Sequence, residues 1–405
     1  MKHKTKTLIF PIFLPMQGCK ERCIYCDQNL ITSDKGIDYA EQLELAKSFL
    51  QAHSGKKRQV AFYGGTFTGL EQGKRDELIA ELRDYLDAEA SFRISTHPLF
   101  IDEEIISWCK ESRIKTIELG IQDFDGEVLR ASGRNYTTEE AITACRLVKE
   151  AGLELGVQLM PGLPGARSGK EGEKQAETAG RHQTSFDCGG LATAGYKSAV
   201  CSWSVQQPPV QVAKGKRPYR NEHPDFGDSV SNSQLTTHNS QLAEGTSDSQ
   251  LVNQAIVASL QPHFLRLYPV IVIRGTVLHQ MWLRGEYQPL SLEEAVHQCA
   301  DWQQVCDEAQ VKVIKMGLPS QMDQSSIVAG PWHPAFGQLV QAELLVRSLE
   351  QEYSSVSIIK LDKKQWALIM ANNKMYLEVL QKRLPGCRLL PPTADSAQAK
   401  RQRQV

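Results

Sequence analysis

Cys19-Lys20-Glu21-Arg22-Cys23-Ile24-Tyr25-Cys26 sets three thiols within eight residues, spaced x3 and then x2, with an aromatic ring just before the last. Thiolates are soft ligands that suit iron–sulfur clusters, zinc and copper(I). Structural zinc wants four ligands, usually with a Cys-x2-Cys knuckle at each end, and no second knuckle follows. A cubane has four irons and usually takes four cysteines. The next cysteine here is Cys109, far along the chain. A cubane held by three thiolates leaves one iron open to a ligand from outside the protein. Residues able to hold such a ligand are therefore expected elsewhere in the chain.

The 405 residues suffice for two or three domains or for one large α/β domain with additions, and 41% hydrophobic content supports a sizeable core. A formal net charge of −1 gives no global case for binding nucleic acid. The basic runs Lys2 to Lys6, Lys56-Lys57-Arg58, Lys214 to Arg220 and Lys400 to Arg403 read first as solvated ends or loops. Lys2, Lys4 and Lys6 before the apolar run Leu8 to Met16 imitate a signal peptide, but Pro11 and Pro15 break that run and Cys19 belongs to the triplet. No run of apolar residues is long enough to cross a membrane. The ten cysteines do not form the dense framework of a small secreted domain. These features predict a soluble, cytoplasmic protein.

Strands alternate with helices through the first part of the chain. Thr7 to Phe13, Gln59 to Tyr63, Phe92 to Ser95, Lys115 to Leu119 and Leu153 to Leu159 are short apolar or β-branched runs. Between them, Tyr39 to His53, Asp76 to Leu86 and Asp102 to Cys109 repeat apolar residues at helical spacing. Thr137-Thr138-Glu139-Glu140 is a capping box, and Gly152 supplies the stop of the helix it opens. Such alternation predicts βαβ units and a parallel sheet, a partial (β/α)6 TIM-like barrel with its polar residues at the strand ends.

After Pro164-Gly165 the pattern fails. Ser, Gln, Thr, Gly and Asn dominate to about Asp248, with the repeat Ser233-Gln234-Leu235, Ser240-Gln241-Leu242, Ser249-Gln250-Leu251. This composition buries too little apolar surface to offset ordering entropy, so a disordered insertion is predicted; Cys188, Cys201 and His182 in it read as incidental. Order resumes with a helix remnant at Gln254 to Leu260 and strand-like His263 to Tyr268 and Val270 to Ile273. Ser291-Leu292-Glu293-Glu294 caps a helix to about Ala309, and Val311 to Ile314 reads as the sixth strand. Cys299 and Cys306 share a face of that helix and read as two buried thiols. Beyond Ser325 a small α+β unit is predicted: a helix at Phe336 to Leu349, a hairpin of Val356 to Ile359 with Trp366 to Ile369, and a helix at Lys374 to Leu384. The divisions are 1–165 and 249–324 for the barrel, 166–248 for the insertion, 325–390 for the α+β unit and 391–405 for a polar tail.

The triplet and its position after the first strand resemble the signature of the radical S-adenosylmethionine superfamily. That resemblance implies a [4Fe-4S] cluster on Cys19, Cys23 and Cys26, with Tyr25 in the loop and S-adenosylmethionine on the open iron. Gly64-Gly65-Thr66-Phe67 ends the second strand where the superfamily holds the methionine amino group, so Gly64, Gly65 and Thr66 become candidates. The segment from Glu118 to Asp125 and on to Arg134 resembles the Elongator catalytic subunit and the oxygen-independent coproporphyrinogen oxidases. By that match Gln122 meets the ribose and Arg134 the carboxylate of S-adenosylmethionine. An amide can bond a hydroxyl, and a guanidinium forks onto a carboxylate. Gln158, in Gly156 to Gly165, stands where the family's fifth strand meets the ribose. Ser95 stands where coproporphyrinogen oxidases carry glutamate and the Elongator type carries serine. Arg266-Leu267-Tyr268-Pro269, Arg274-Gly275-Thr276, Gly285-Glu286-Tyr287, Met316-Gly317-Leu318 and Ala329 to Pro334 also match short bacterial Elongator-like proteins.

The chain departs from the family at Ser95-Thr96-His97-Pro98-Leu99, where Ser-Thr-Arg-Pro-Asp is usual, and at Arg134-Asn135-Tyr136-Thr137 in place of Arg-Gly-His-Thr. The stretch after the barrel is shorter than a typical ~100–150-residue domain and has no Gly-rich pyrophosphate loop, so acetyl transfer is not carried over. The resemblance implies an electron donor, flavodoxin or ferredoxin, and reductive cleavage of S-adenosylmethionine to methionine and a 5′-deoxyadenosyl radical. It points to RNA modification, on tRNA, with the Lys2-to-Lys6 arm available to phosphates. Two alternatives stay open: a small-molecule or tetrapyrrole substrate, and a cluster-binding protein without turnover. No side chain is assigned a catalytic proton transfer.

Overall fold

Branched and aromatic residues at Leu8–Phe13 form β1, and the chain then alternates as expected. In this computed structural model, which describes residues 7–28, 39–166, 248–318, 322–353 and 358–392, the elements of the first part are α1 (Tyr39–Ala52), β2 (Arg58–Tyr63), α2 (Gln72–Arg83), β3 (Ala90–Thr96), α3 (Glu103–Glu111), β4 (Ile114–Gln122), α4 (Gly126–Ala131), α5 (Thr138–Glu150) and β5 (Glu154–Leu159). After the insertion come α6 (Ser249–Leu260), β6 (Phe264–Leu267), β7 (Val272–Ile273), α7 (Val277–Leu283), α8 (Leu292–Glu308) and β8 (Lys312–Met316). The insertion lies outside the described residues except for Ala166 and Asp248, and so do the runs Lys2 to Lys6, Lys214 to Arg220 and Lys400 to Arg403.

The main sheet runs β1-β2-β3-β4-β5-β6-β8, every neighbour parallel. This is the partial α/β barrel, with seven strands where six were counted. The added one is β6, which lies within the strand-like run His263 to Tyr268 and joins the barrel sheet; it is held to β5 from Gly156↔Phe264 to Leu159↔Leu267. Two helices, α4 and α7, escape the periodicity because each is shorter than eight residues. Their caps are legible afterwards: the Asp125 side chain accepts from the Glu127 and Val128 N–H groups, and the Thr276 side chain from His279 N–H. The capping boxes at Thr137/Glu140 and Ser291/Glu294 form as read.

Two register rows on the inner face set the depth of the barrel. Ser95, Glu118, Gly156 and Phe264 are successive partners across β3 to β6. Gly156 has no room for a side chain, since a Cβ there would lie 2.2 Å from Phe264 Cζ. The phenyl ring fills that space and closes the floor. One pleat above, Gly120, Gln158, Arg266 and Lys315 are successive partners across β4, β5, β6 and β8.

The C-terminal elements are β9 (Ile327–Ala329), α9 (Phe336–Glu352), β10 (Ile358–Lys360), α10 (Lys363–Arg383) and β11 (Arg388–Leu390). The expected hairpin is corrected here. β10 pairs in parallel with β11, and Trp366 to Ile369 belong to α10. A four-residue apolar run fits either structure, and Asp362 decides it by capping α10 in a box with Gln365. α10 is interrupted at Ala371 to Lys374, where Asn372, Asn373 and Lys374 take positive φ. Beneath, Glu343 on α9 is buried to 1% and accepts from Arg347 Nε at 2.8 Å and Arg383 Nη1 at 2.9 Å, with His297 Nε2 of α8 3.5 Å away. Burial alone would raise this carboxyl; the bonds from His297, Arg347 and Arg383 overcome it and hold the pKa down at about 2.

A native pKa below the unfolded value means stability present above about pH 4.5 and lost as pH falls toward about 2. Glu343→Gln should cost about 1–3 kcal/mol at pH 7, because Arg347 and Arg383 lose the buried carboxylate between them while each keeps a second partner, Asp301 at 2.6 Å and Glu350 at 3.4 Å. The cost should shrink as the solution is acidified. Urea unfolding of both proteins at several pH values measures it, and an equal cost at pH 3 and pH 7 would contradict the assignment.

Candidate active site

The cysteine loop leaves β1 and is stitched to the end of β2. Leu14 N–H donates to Tyr63 O at 2.7 Å, Met16 N–H to Gly64 O at 2.9 Å, and Thr66 N–H to Gln17 O at 2.9 Å. This backbone contact leaves no space at Gly65, where a Cβ would stand 2.2 Å from Gln17 O and 2.8 Å from Leu14 O. Gly64 supplies a φ of +94° that other residues rarely adopt. The same contact brings Cys19 Sγ to 3.3 Å from Thr66 Oγ1.

The far limb of the loop is held by other elements. Ile24 N–H donates to Ser132 O at 3.2 Å, and Leu278 N–H of α7 to Ile24 O at 2.9 Å. Tyr25 packs into an apolar group with Val128, Leu163, Leu278 and Tyr287. Arg134 crosses from the end of α4 to the thiols. It is 4% exposed and donates to Cys23 Sγ at 3.1 Å, to Gly120 O at 2.5 Å and to Tyr136 Oη at 2.9 Å. Burial works against its charge, but Tyr25, Tyr136 and Cys23 around it keep the guanidinium protonated.

β4 ends irregularly. Its register with β5 shifts between Gly120 and Gln122, and Gln122 holds a φ of +69°. A non-glycine residue in that region costs about 1–2 kcal/mol, and the fold holds it there: Met160 N–H donates to Gln122 O at 2.8 Å and Gln158 Nε2 to Gln122 Oε1 at 3.1 Å. The two amides thereby stand side by side.

All eleven candidate residues border one cavity of about 750 Å³: Cys19, Cys23, Cys26, Tyr25, Gly64, Gly65, Thr66, Ser95, Gln122, Arg134 and Gln158. The three cysteines are free thiols. Among the described residues no three His, Cys, Asp or Glu side chains converge closely enough for one metal ion; cluster thiolates attach to separate irons and need not converge on one point. The Cys26 thiol is pushed up to about 12 by burial and then by the charges of Cys23 and Cys19. Three crowded thiolates are therefore unstable without cations among them, which is the demand a cluster's irons meet. The donor set and the side-chain-free cradle at Gly64 and Gly65 fit a three-thiolate cluster with a small zwitterion beside it.

The cavity also holds groups that the sequence left unassigned. Glu118 accepts from Tyr63 Oη at 2.8 Å and from Arg266 Nε at 2.5 Å, while Arg93 Nε lies 3.0 Å from it on the other side. Charged residues at inward positions of otherwise apolar strands were the signal that could have found them. His97, noted only as a departure, edges onto the Tyr136 ring at 5.0 Å. Burial and then the Arg134 charge push its pKa down to about 3, and its Nδ1 accepts from Leu99 N–H at 3.3 Å. Its proton therefore sits on Nε2, so it faces the cavity as a neutral donor.

Gly65→Ala should displace the cysteine loop from β2, at a cost of about 1–3 kcal/mol, and reduce the iron bound after anaerobic reconstitution. Gly73→Ala, on open helix surface with nothing within 4 Å, serves as control. Melting temperature and iron per chain read the difference; wild-type values for Gly65→Ala would show that the loop does not depend on this contact.

Residues 13–167 match the family model of the radical SAM superfamily, and residues 262–345 match that of the Radical_SAM C-terminal domain. The chain is 24% identical to the tRNA uridine(34) acetyltransferase of Methanocaldococcus jannaschii over 275 residues, covering 63% of this chain and 36% of that protein. It is 31% identical to the oxygen-independent coproporphyrinogen III oxidase of Pseudomonas aeruginosa over 166 residues, covering 38% of this chain and 36% of that protein. The chain therefore spans 36% of the length of each of these curated relatives. Among solved structures, Methanocaldococcus infernus Elp3 aligns with a TM-score of 0.49 at 17% identity, over 86% of this chain and 63% of that one. The two family models together cover more than half of the 405 residues, and the chain belongs to the radical S-adenosylmethionine superfamily, whose enzymes use a [4Fe-4S] cluster and S-adenosylmethionine.

Proposed function

We propose that this chain is a radical enzyme that modifies a nucleoside of tRNA within the cavity described above. The observation that carries the reading is the gathering of the cysteine triplet, the Gly64-Gly65-Thr66 cradle, the Gln122–Gln158 amide pair and Arg134 around one chamber. When bound together and reduced, the cluster and S-adenosylmethionine supply a 5′-deoxyadenosyl radical able to abstract hydrogen. Cys19, Cys23 and Cys26 are the ligands in this reading, with Tyr25 packing the loop from behind. Gly64, Gly65 and Thr66 line the place for the methionine amino group. Gln122 and Gln158, already paired with each other, present amides to the ribose, and Ser95 borders the same space.

Arg134 takes the methionine carboxylate. It now donates to Cys23 Sγ and Gly120 O, so the carboxylate replaces a protein acceptor rather than meeting a free guanidinium. The apolar group around Tyr25 and the ring of Phe264 close the chamber on the side of the loop and on the floor. An electron donor is required, and flavodoxin or ferredoxin suits a reducing cytoplasmic setting.

The tRNA reading is supported by the archaeal relative and by Ser95, the residue the Elongator type carries. Acetyl transfer is not proposed, since the match covers only 36% of that relative. A tetrapyrrole substrate is the second reading, supported by the Pseudomonas aeruginosa relative; a cluster protein without turnover would release no 5′-deoxyadenosine under reductant.

Cells with and without the gene, grown anaerobically, should differ in one modified tRNA nucleoside and not in porphyrins, by mass spectrometry of both pools. Altered porphyrins over an unchanged nucleoside profile would reverse the order of the two readings.

A further inference from the structure

The chamber has a second charged wall. Gln158, Arg266 and Lys315 are register partners on β5, β6 and β8, leave the sheet on one side, and all border the cavity. β1 and β8 are the two edges of the sheet, so this wall stands across it from the cysteine loop.

Its charges do not cancel. Arg266 gives Nε and Nη2 to Glu118, at 2.5 and 3.2 Å, and Nη1 to Tyr268 Oη at 3.3 Å. Glu118 already faces the Arg93 guanidinium at 3.0 Å. One carboxylate thus serves two guanidiniums, and the trio keeps an excess positive charge. Lys315 adds another cation beside Arg266. It is half-buried and, among the described residues, has neither an ion-pair nor a hydrogen-bond partner. A surface lysine normally carries its ammonium out into water. Lys315 instead lines the chamber in the same row as Arg266, so an anion entering there meets two cationic side chains.

We propose that Lys315, backed by Arg266, binds an anionic group of the substrate, a carboxylate or a phosphate. This rests on the cavity being the substrate chamber, though not on the substrate being RNA. A phosphate would come from a nucleotide and a carboxylate from an acidic side arm. Arg134, bonded to Gly120 O of the central strand β4 and to Cys23 Sγ, serves the methionine end in this reading, so the Lys315 site is a second anion site farther along the same row, on β6 and β8.

The test is calorimetric titration of the full chain without cluster, using malonate, uridine 5′-monophosphate and neutral uridine, on wild type, K315M and K315R. At least one anion should bind in the millimolar range, K315M should weaken it about tenfold, and K315R should restore most of the loss. Malonate binding alone assigns a carboxylate, and nucleotide binding alone a phosphate. Failure of both anions to bind, or equal binding by K315M, overturns the proposal, the latter because Arg134 alone would be the site. Should K315M not fold, reductive methylation of Lys315 in the wild type substitutes: the bound anion should slow it, and an unchanged rate overturns the proposal equally. None of this requires turnover, so failure here leaves the comparison of nucleoside pools untouched.

Discussion

Everything at the mouth of the barrel depends on one backbone-to-backbone contact between the ends of β1 and β2. The carbonyls of Gln17 and Leu14 lie where any Cβ on residue 65 would stand. With that contact made, three hydrogen bonds fix the loop's first limb and place Cys19 beside Thr66. A side chain at Gly65 would clash with these carbonyls and force the limb away from β2. The glycines are therefore a steric condition for the loop's first limb to lie against the end of β2.

The second limb obeys a different constraint, that of charge. Cys23 and Cys26 are half-buried, and burial opposes thiolates. Arg134 meets this need in part, since its guanidinium is itself buried and donates to Cys23. Its position is over-determined by Tyr136 and Gly120 O. Tyr136 also orders His97, whose ring it meets edge-on, so the departure at Asn135-Tyr136 and the departure at His97 form a single local arrangement. Burial, and then the Arg134 charge, keep His97 neutral, and the neutral ring packs against Tyr136.

The sequence revealed the parts of this architecture that rest on repeated pattern or on chemistry with few alternatives. Long strands and helices showed their periods, Thr137 and Ser291 showed their caps, and the thiol spacing pointed to the cluster loop. What stayed hidden depends on partners far apart in the chain. The strand-like run at His263 to Tyr268 was legible, but its place in the barrel sheet beside β5, with Phe264 filling the space at Gly156, was not. Trp366 to Ile369 looked like a strand until the cap at Asp362 was taken into account. Glu118, Arg93 and Arg266 come from three strands, and nothing within any one of them announces that a carboxylate would serve two guanidiniums.

The volume of the chamber follows from the same inner rows. In a closed eight-stranded barrel the inward side chains fill the interior in layers, and little space remains. Here the lower row is filled between β5 and β6, because Phe264 occupies the space left by Gly156. The upper row begins with Gly120, where a Cβ would meet Gln122 Nε2 at 2.9 Å, and then places Gln158, Arg266 and Lys315 around a gap. An open sheet whose edges, β1 and β8, stay unpaired with each other can hold its two walls apart without closing over that gap. The chain thus fills the β5–β6 part of the lower row with Phe264, while Ser95 and Glu118 of that row border the cavity and Gln122 holds its positive φ at the end of β4. Around this gap the thiols lie on the β1 side, Arg134 against the central strand β4, and Arg266 and Lys315 toward the β8 edge.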